Sequence, residues 1–264
     1  MSILMFSKKK TNQEKISMVT CYDYPSAKQV SNTDIDVALV GDSVAMMVHG
    51  FESTVMATMD MMVMHTQAVA RGIKDQFIVT DMPFMAHRGS LQYACENATR
   101  LIQAGAHAIK IEGADTTTLE VIEYLANSSI PVMGHIGLQP QSILSLGAYK
   151  VQGRQDAEKE RLHQEALALQ EAGCFSIVLE CIPEGLAASI TQQLSIATIG
   201  IGAGRHTDGQ VLVWHDLLGL QKHLVPKFVK QYHMAEPLII EALQKYHLEV
   251  IQNEFPQEIH CYAK

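Results

Sequence analysis

The sequence predicts an α/β fold, a (β/α)₈ barrel, on three observations. Short β-rich apolar runs recur along the 264 residues, and helical patterns separate most of them. The runs are almost continuously apolar, as expected for parallel strands that are covered on both faces. The length suits a barrel that forms one domain of roughly 250 residues. An open doubly wound sheet is the alternative, but IGIGAGR carries Arg205 where the last glycine or alanine of the dinucleotide fingerprint should fall.

Strand and helix candidates alternate along most of the chain. The strand candidates are 17–21, 36–41, 77–82, 107–112, 130–135, 175–180, 196–201 and 210–214. The helix candidates are 25–31, 58–72, 90–104, 116–127, 156–172, 185–194 and 236–252. Ser90 predicts a helix N-cap, and Gly105 and Gly173 predict helix ends. Because no linker or internal repeat interrupts this order, we expect one barrel domain over 1–264, with residues 1–13 as an N-terminal extension.

Composition and charge exclude several classes of protein. The apolar content of 47% and the charged content of 18% are typical of a soluble globular protein with a sizeable core. The net charge of -8 argues against a nucleic-acid partner bound through phosphate neutralisation. We expect no membrane span, because no uninterrupted apolar stretch reaches about 18 residues. The basic run at Lys8, Lys9 and Lys10 is expected to be a solvated tail.

The cysteines and the N-terminus indicate the compartment. The five cysteines form no CxxC pair, so neither a disulfide framework nor a zinc site is predicted. Cys21, Cys174 and Cys181 lie in apolar segments and are expected to be small core residues. The segment MSILMF is too short for the apolar part of a signal peptide. These points favour a cytoplasmic protein.

Polar or charged side chains end five successive apolar runs. The runs are DVALVGDS, FIVTDMP, HAIKIEG, IPVMGHIG and FSIVLEC, and they carry Asp42, Ser43, Asp81, Lys110, Glu112, His135 and Glu180. In a barrel of this kind the C-terminal ends of the strands surround one opening, where the chemistry takes place. We therefore expect these side chains to form one site.

Three of these residues indicate a hard metal ion. Asp42, Asp81 and Glu112 cannot share a small space without a cation, because their repulsion would raise the pKa of at least one carboxyl group. An all-oxygen donor set without cysteine suits Mg²⁺. The alternative is that each carboxylate caps the helix that follows its strand.

The other charged strand ends each have two interpretations. Lys110 would neutralise a carboxylate or bind an anionic group of a substrate. His135 lies between Gly134 and Gly137, where the backbone can approach a ligand closely, but a lone histidine is more often structural. Glu180 ends an apolar strand and would serve as a catalytic base or pair with an unidentified cation.

The chain also resembles a known family over most of its length, from about residue 14 onward. The matching motifs are TCYDYPSA (20–27), LVGDSVAMMVHG (39–50), DMPFM (81–85), ENA (96–98), AGAHAIKIEG (104–113), VMGHIGLQPQS (132–142), LECIP (179–183), IGIGAG (199–204) and DGQVLVWHDLLG (208–219). These motifs resemble those of the ketopantoate hydroxymethyltransferase family, in the order in which the family carries them. The resemblance implies a barrel similar to those of the phosphoenolpyruvate mutase and isocitrate lyase superfamily.

The resemblance also implies a role for each strand-end residue. It implies Mg²⁺, one ion per subunit with Mn²⁺ or Co²⁺ as substitutes, held by Asp42, Asp81 and Glu112. Contact with 3-methyl-2-oxobutanoate is implied for Asp42, Ser43, Asp81, Lys110 and His135. Glu180 would be the base, and 5,10-methylenetetrahydrofolate would supply the one-carbon unit. The implied enzyme is a homodecamer of two pentamers that catalyses the first committed step of pantothenate biosynthesis.

Three departures from the family pattern lie outside the strand ends. FESTVMAT at 51–58 stands where members often carry a His-Asp-Ser-Thr segment, His87 where an aromatic residue is common, and Thr198 where Pro-Val is frequent. They affect the expected loops and the folate site. The alternatives in function are another Mg²⁺-dependent carbon–carbon lyase or mutase that acts on a 2-oxo acid, and a non-catalytic barrel. No KKCGH-like loop of the lyases occurs in the sequence.

Overall fold

The computed structural model describes residues 2–147, 150–221 and 225–263. Within these ranges, eight parallel strands close into a barrel in the order of the sequence, with the last strand paired to the first. The predicted (β/α)₈ barrel is therefore confirmed, and the doubly wound sheet is wrong.

The strands lie within two residues of the positions that the apolar runs predict. They are β1 (Ile16–Thr20), β2 (Val37–Val40), β3 (Phe77–Asp81), β4 (Ala108–Glu112), β5 (Val132–Gly137), β6 (Ser176–Glu180), β7 (Ala197–Ile201) and β8 (Gly209–Leu212). Nearly every residue of β2 to β7 is buried, as expected when helices cover the outside of a barrel and side chains fill its interior.

The helices include every predicted one and several short ones that the sequence pattern did not predict. They are α1 (Leu4–Thr11), α2 (Tyr24–Val30), α3 (Val44–Met47), α4 (Met59–Gly72), α5 (Leu91–Gln103), α6 (Thr116–Asn127), α7 (Ile143–Leu146), α8 (Asp156–Glu171), α9 (Glu184–Gln193), α10 (Trp214–Leu218) and α11 (Ala235–Ile251). The Ser90 hydroxyl caps α5 by accepting the Tyr93 N–H at 3.1 Å, as predicted.

The N-terminal extension forms α1 and closes one end of the barrel. Phe6 is fully buried, and its ring meets those of Phe77 and Phe175 edge to face at centroid distances of 5.6 and 4.9 Å. Phe77 is the first residue of β3 and Phe175 directly precedes β6, so α1 covers the N-terminal ends of the strands.

The lysines of α1 are not a free tail. Lys9 pairs with Asp36 at 2.5 Å, and Lys10 pairs with Asp208 at 2.8 Å. The predicted solvated tail is therefore wrong for these two residues. Charge pattern alone could not reveal the error, because both partners lie in loops that are distant in sequence.

The described residues form two compact units, which meet in sequence between Leu212 and Val213. The first unit holds the barrel, and the second holds α10 and α11. The single domain expected over 1–264 stays a prediction. No helix among the described residues is both long enough and apolar enough to cross a membrane.

Candidate active site

The strand register brings the predicted residues together at the C-terminal end of the barrel. Asp81 of β3 is the register partner of Lys110 of β4, and Glu112 of β4 is the partner of His135 of β5. Lys110 and Glu112 are two residues apart and so point to the same face. Their contacts follow from this register, with 3.2 Å from Lys110 Nζ to Asp81 Oδ1 and 3.2 Å from His135 Nδ1 to Glu112 Oε1.

Lys110 lies at the centre of the charged network. Its Nζ is 3.7 Å from Glu112 Oε1 and 3.3 Å from His135 Nδ1, in addition to the contact with Asp81. Burial acts to lower the pKa of Lys110, but the charges of Asp81, Glu112 and Asp42 outweigh it and raise the pKa above its usual range. The ammonium group is therefore a permanent buried cation at neutral pH.

His135 is a second cation of the network. Burial and the charge of Lys110 act to lower its pKa, but Glu112 and Glu180 outweigh them and raise the pKa to about 9. Its Nε2 lies 3.3 Å from Glu180 Oε2, so the ring connects two carboxylates. Gly137 lies beside this contact, where an added Cβ would collide with the Glu180 carbonyl oxygen. The absence of a side chain at Gly137 lets β5 and β6 approach closely.

Asp42 and Asp81 lie next to each other at the ends of β2 and β3. The Asp42 N–H donates to Asp81 Oδ2 at 3.0 Å. Burial is the main cause that raises the pKa of both carboxyl groups, and the charge of Asp81 adds to the shift at Asp42. Glu112 differs, because His135 and Lys110 outweigh the effect of burial and lower its pKa.

Ser43 joins the site through its neighbour in sequence, Asp42, and through a hydroxyl contact. The Tyr22 hydroxyl and Ser43 Oγ are 2.8 Å apart. The Tyr22 backbone carbonyl in turn accepts from His65 Nδ1 at 2.6 Å. The six other predicted residues form one chain of direct contacts, and Ser43 lies at its edge.

The three carboxylates do not cap the helices that follow their strands. Asp115, not Glu112, caps α6 by accepting the Thr118 N–H, and Ser90, not Asp81, caps α5. The short α3 has no side-chain cap. The capping alternative is therefore wrong, and burial of Asp42, Asp81 and Glu112 needs another reason.

The donor set fits a hard divalent cation. Four carboxylates (Asp42, Asp81, Glu112 and Glu180) face two cations, Lys110 and protonated His135, so full ionisation leaves two negative charges without a partner. Asp81 Oδ1 is buried and accepts no well-aligned hydrogen bond. Among the described residues no three side chains stand in ready-made coordination geometry. The all-oxygen donor set suits Mg²⁺, which keeps several waters in its shell and takes further oxygens from the substrate.

Sequence reasoning missed Gln141 and Tyr22. Gln141 is buried and contacts both Asp42 and Glu112. Both residues lie in motifs that match the family. Tyr22 directly follows the first predicted strand but carries no charge, and Gln141 lies in a loop, where polar residues are common. Only their contacts distinguish them from ordinary loop residues.

A family model described as ketopantoate hydroxymethyltransferase matches residues 1–258. The chain belongs to the ketopantoate hydroxymethyltransferase family. The 3-methyl-2-oxobutanoate hydroxymethyltransferase of Legionella pneumophila (strain Corby) is 58% identical over 262 residues, which are 99% of this chain and 100% of that relative. The enzyme of that name from Francisella tularensis subsp. novicida (strain U112) is 52% identical over 261 residues, 99% and 98% of the two chains. The expected family membership is confirmed.

Solved structures with little sequence identity share the fold of this ketopantoate hydroxymethyltransferase family member. Phosphonopyruvate hydrolase in complex with oxalate and Mg²⁺ has a TM-score of 0.64 at 9% identity, over 100% of this chain and 92% of that one. A 2,3-dimethylmalate lyase, a member of the PEP mutase/isocitrate lyase superfamily, has a TM-score of 0.60 at 14% identity, over 96% and 89%. The expected similarity to that superfamily is confirmed for the fold.

Proposed function

We propose that this chain transfers a hydroxymethyl group from 5,10-methylenetetrahydrofolate to 3-methyl-2-oxobutanoate and releases 2-dehydropantoate and tetrahydrofolate. Family membership supports the reaction, and it makes the chain an enzyme of pantothenate biosynthesis at the first committed step. The observation that carries the residue roles is the network of four carboxylates and two cations at the C-terminal end of the barrel.

Lys110, His135 and Ser43 are the groups that bind the 2-oxo acid. Lys110 is charged and buried, so it attracts the substrate carboxylate without competition from bulk water. His135 and Ser43 supply hydrogen bonds that orient the substrate, and the contact with Tyr22 limits the rotation of the Ser43 hydroxyl. Asp42 and Asp81 line the same end of the strands.

Asp42, Asp81 and Glu112 would hold one Mg²⁺ per subunit, with Mn²⁺ or Co²⁺ as substitutes. A divalent ion bound there supplies Lewis-acid stabilisation of the negative charge that develops on the keto oxygen. Full ionisation of the carboxylates would leave an excess of negative charge that a divalent cation would balance, and this supports the assignment.

Glu180 is the base that takes the C3 proton of the oxo acid. It ends β6 at the rim of the site, its side chain is 16% exposed, and its Oε2 lies 3.3 Å from His135 Nε2. The proton moves to a Glu180 oxygen while the electrons of the C–H bond move toward the keto oxygen. The C3 carbon then bonds to the methylene carbon as the first of its two carbon–nitrogen bonds to the folate breaks. Water replaces the second nitrogen and supplies the hydroxyl group, and the two released nitrogens take up the C3 proton and the remaining proton of the water.

Two assays test this function. Metal-loaded protein with both substrates should form 2-dehydropantoate, and failure of folded protein to do so would refute the reaction. The Glu180→Gln variant should still bind metal and oxo acid but lose exchange of the C3 proton in D₂O, followed by NMR without folate. Glu171→Gln is the matched control, because Glu171 is exposed at the end of α8. Unchanged exchange in Glu180→Gln would reject Glu180 as the base.

The assembly and the compartment are further proposals. The family resemblance supports a homodecamer of two stacked pentamers, and the sequence supports a cytoplasmic location. Native mass spectrometry of the purified protein tests the first point. A mass of ten 29.2 kDa subunits is expected, and a stable monomer or dimer would contradict it.

A further inference from the structure

Gln141 makes hydrogen bonds to three successive strand ends of the site. Its side-chain Nε2 donates to Asp42 Oδ2 at 2.8 Å and to the Met82 carbonyl oxygen at 3.0 Å. Its backbone N–H donates to Glu112 Oε2 at 3.1 Å. Asp42 follows β2, Met82 follows β3 and Glu112 ends β4, so one residue connects all three strands that carry the proposed metal ligands.

The orientation of the Gln141 amide follows from its partners. A carboxylate oxygen and a backbone carbonyl can only accept hydrogen bonds, so the nitrogen of the amide must face them. Reversal of the amide would place its oxygen against two acceptors. Gln141 is only 6% exposed, and water therefore cannot easily replace either bond.

These bonds restrict the two carboxylates in complementary ways. The donor at Asp42 Oδ2 limits rotation of that carboxylate and leaves Oδ1 available to a cation. The backbone N–H likewise holds Oε2 of Glu112, whose Oε1 lies 3.2 Å from His135 Nδ1. Hydrogen-bond partners of metal ligands orient the ligand oxygens and typically change metal affinity by about 10–100-fold.

We infer that Gln141 is a positioning residue of the metal site, which holds Asp42 and Glu112 in the orientation that binds a divalent cation. This inference rests on the proposed metal site. Gln141 is not itself a ligand, because its amide hydrogens point at the carboxylate and the carbonyl. Its segment, the 3-10 helix Pro140–Ser142, follows β5 and is thus part of the loop layer above the barrel.

The test is a titration of metal-free protein with Mn²⁺, with free Mn²⁺ measured by electron paramagnetic resonance. Gln141→Met keeps the size of the side chain and removes its donors. We expect its Kd for Mn²⁺ to rise about tenfold or more. The matched control is Gln139→Met, immediately before this 3-10 helix, because among the described residues the Gln139 side chain accepts one long 3.4 Å bond, from Ser142. Its Kd should stay unchanged.

Three outcomes of these measurements would overturn the inference. An unchanged Kd in folded Gln141→Met, even with a lower unfolding midpoint, would show that Gln141 only stabilises the fold and would overturn the inference. If Gln141→Met does not fold, Gln141→Asn replaces it, since a side chain shorter by one methylene cannot span both acceptors. Failure of both to fold would also assign a structural role and overturn the inference. If the unsubstituted protein binds no Mn²⁺, the metal site itself is wrong, and the role of Gln141 falls with it.

Discussion

A substitution at Phe6 should change the stability of the protein without changing its catalytic activity. Replacement by alanine removes the single buried side chain of α1 and opens the N-terminal end of the barrel. Phe77, which Phe6 contacts, begins β3, while Asp81 ends it, about 13 Å away along the strand. We therefore expect Phe6→Ala to destabilise the protein and leave the turnover of the folded fraction unchanged.

The size of the effect follows from the packing of Phe6. Its ring is fully buried between Phe77 and Phe175, so truncation loses transfer free energy, leaves a cavity and removes two edge-to-face contacts. Phenylalanine-to-alanine changes at such sites cost about 3–5 kcal/mol. In a chain of this size that corresponds to a fall in melting temperature of roughly 10 °C.

Urea unfolding followed by circular dichroism measures the stability, and the rate of 2-dehydropantoate formation at 25 °C measures the activity. Leu4→Ala is the control, because Leu4 lies on the same helix and is 69% exposed. Its free energy of unfolding should match that of the unsubstituted protein to within about 0.5 kcal/mol. A midpoint for Phe6→Ala equal to that of Leu4→Ala would refute the packing argument, and a loss of turnover in folded protein would refute the separation.

Three further predictions concern the charged and buried groups. Asp81→Asn should weaken Mg²⁺ binding at least about tenfold by calorimetric titration, and an unaltered titration would remove Asp81 from the ligand set. Lys110→Met should lower the free energy of unfolding of the metal-free protein by roughly 3–5 kcal/mol in urea, because Asp81 and Glu112 lose their shared cation. Equal midpoints for the variant and the unsubstituted protein would show that these ion pairs contribute nothing to stability. Burial lowers the pKa of His87 to about 4, so as the pH falls the unfolded chain binds a proton at this residue before the folded chain does. The free energy of unfolding should therefore fall by up to roughly 3 kcal/mol between pH 6.5 and pH 4. His87→Phe should weaken this dependence, and identical slopes in both proteins would contradict the assignment.

The barrel and six of its contacting site residues were predictable from local pattern. Buried parallel strands require continuous apolar runs, so a charged residue such as Asp81 or Lys110 within or at the end of a run stands out. The barrel topology then places all such residues at one opening. The register that pairs Asp81 with Lys110 adds contacts that neither run could announce by itself.

The contacts that the sequence pattern did not predict join residues that are far apart in the chain. Gln141 reaches Asp42 over 99 positions and Met82 over 59, and a glutamine in a polar loop carries no periodic signal. Lys10 reaches Asp208 over 198 positions, so a basic run near the N-terminus could not be distinguished from a solvated tail. Such pairings become visible only when the fold has brought the segments together.

The register of β3, β4 and β5 also defines where the chain tolerates change in length. Side chains alternate between the two faces of a strand, so deletion of Ile109 inside β4 would turn Lys110 and Glu112 out of the barrel together. Insertions in the loops beyond the strand ends leave this alternation untouched. A library that varies loop length could therefore reshape access for the proposed one-carbon donor while the strand residues proposed for proton transfer and metal binding keep their places.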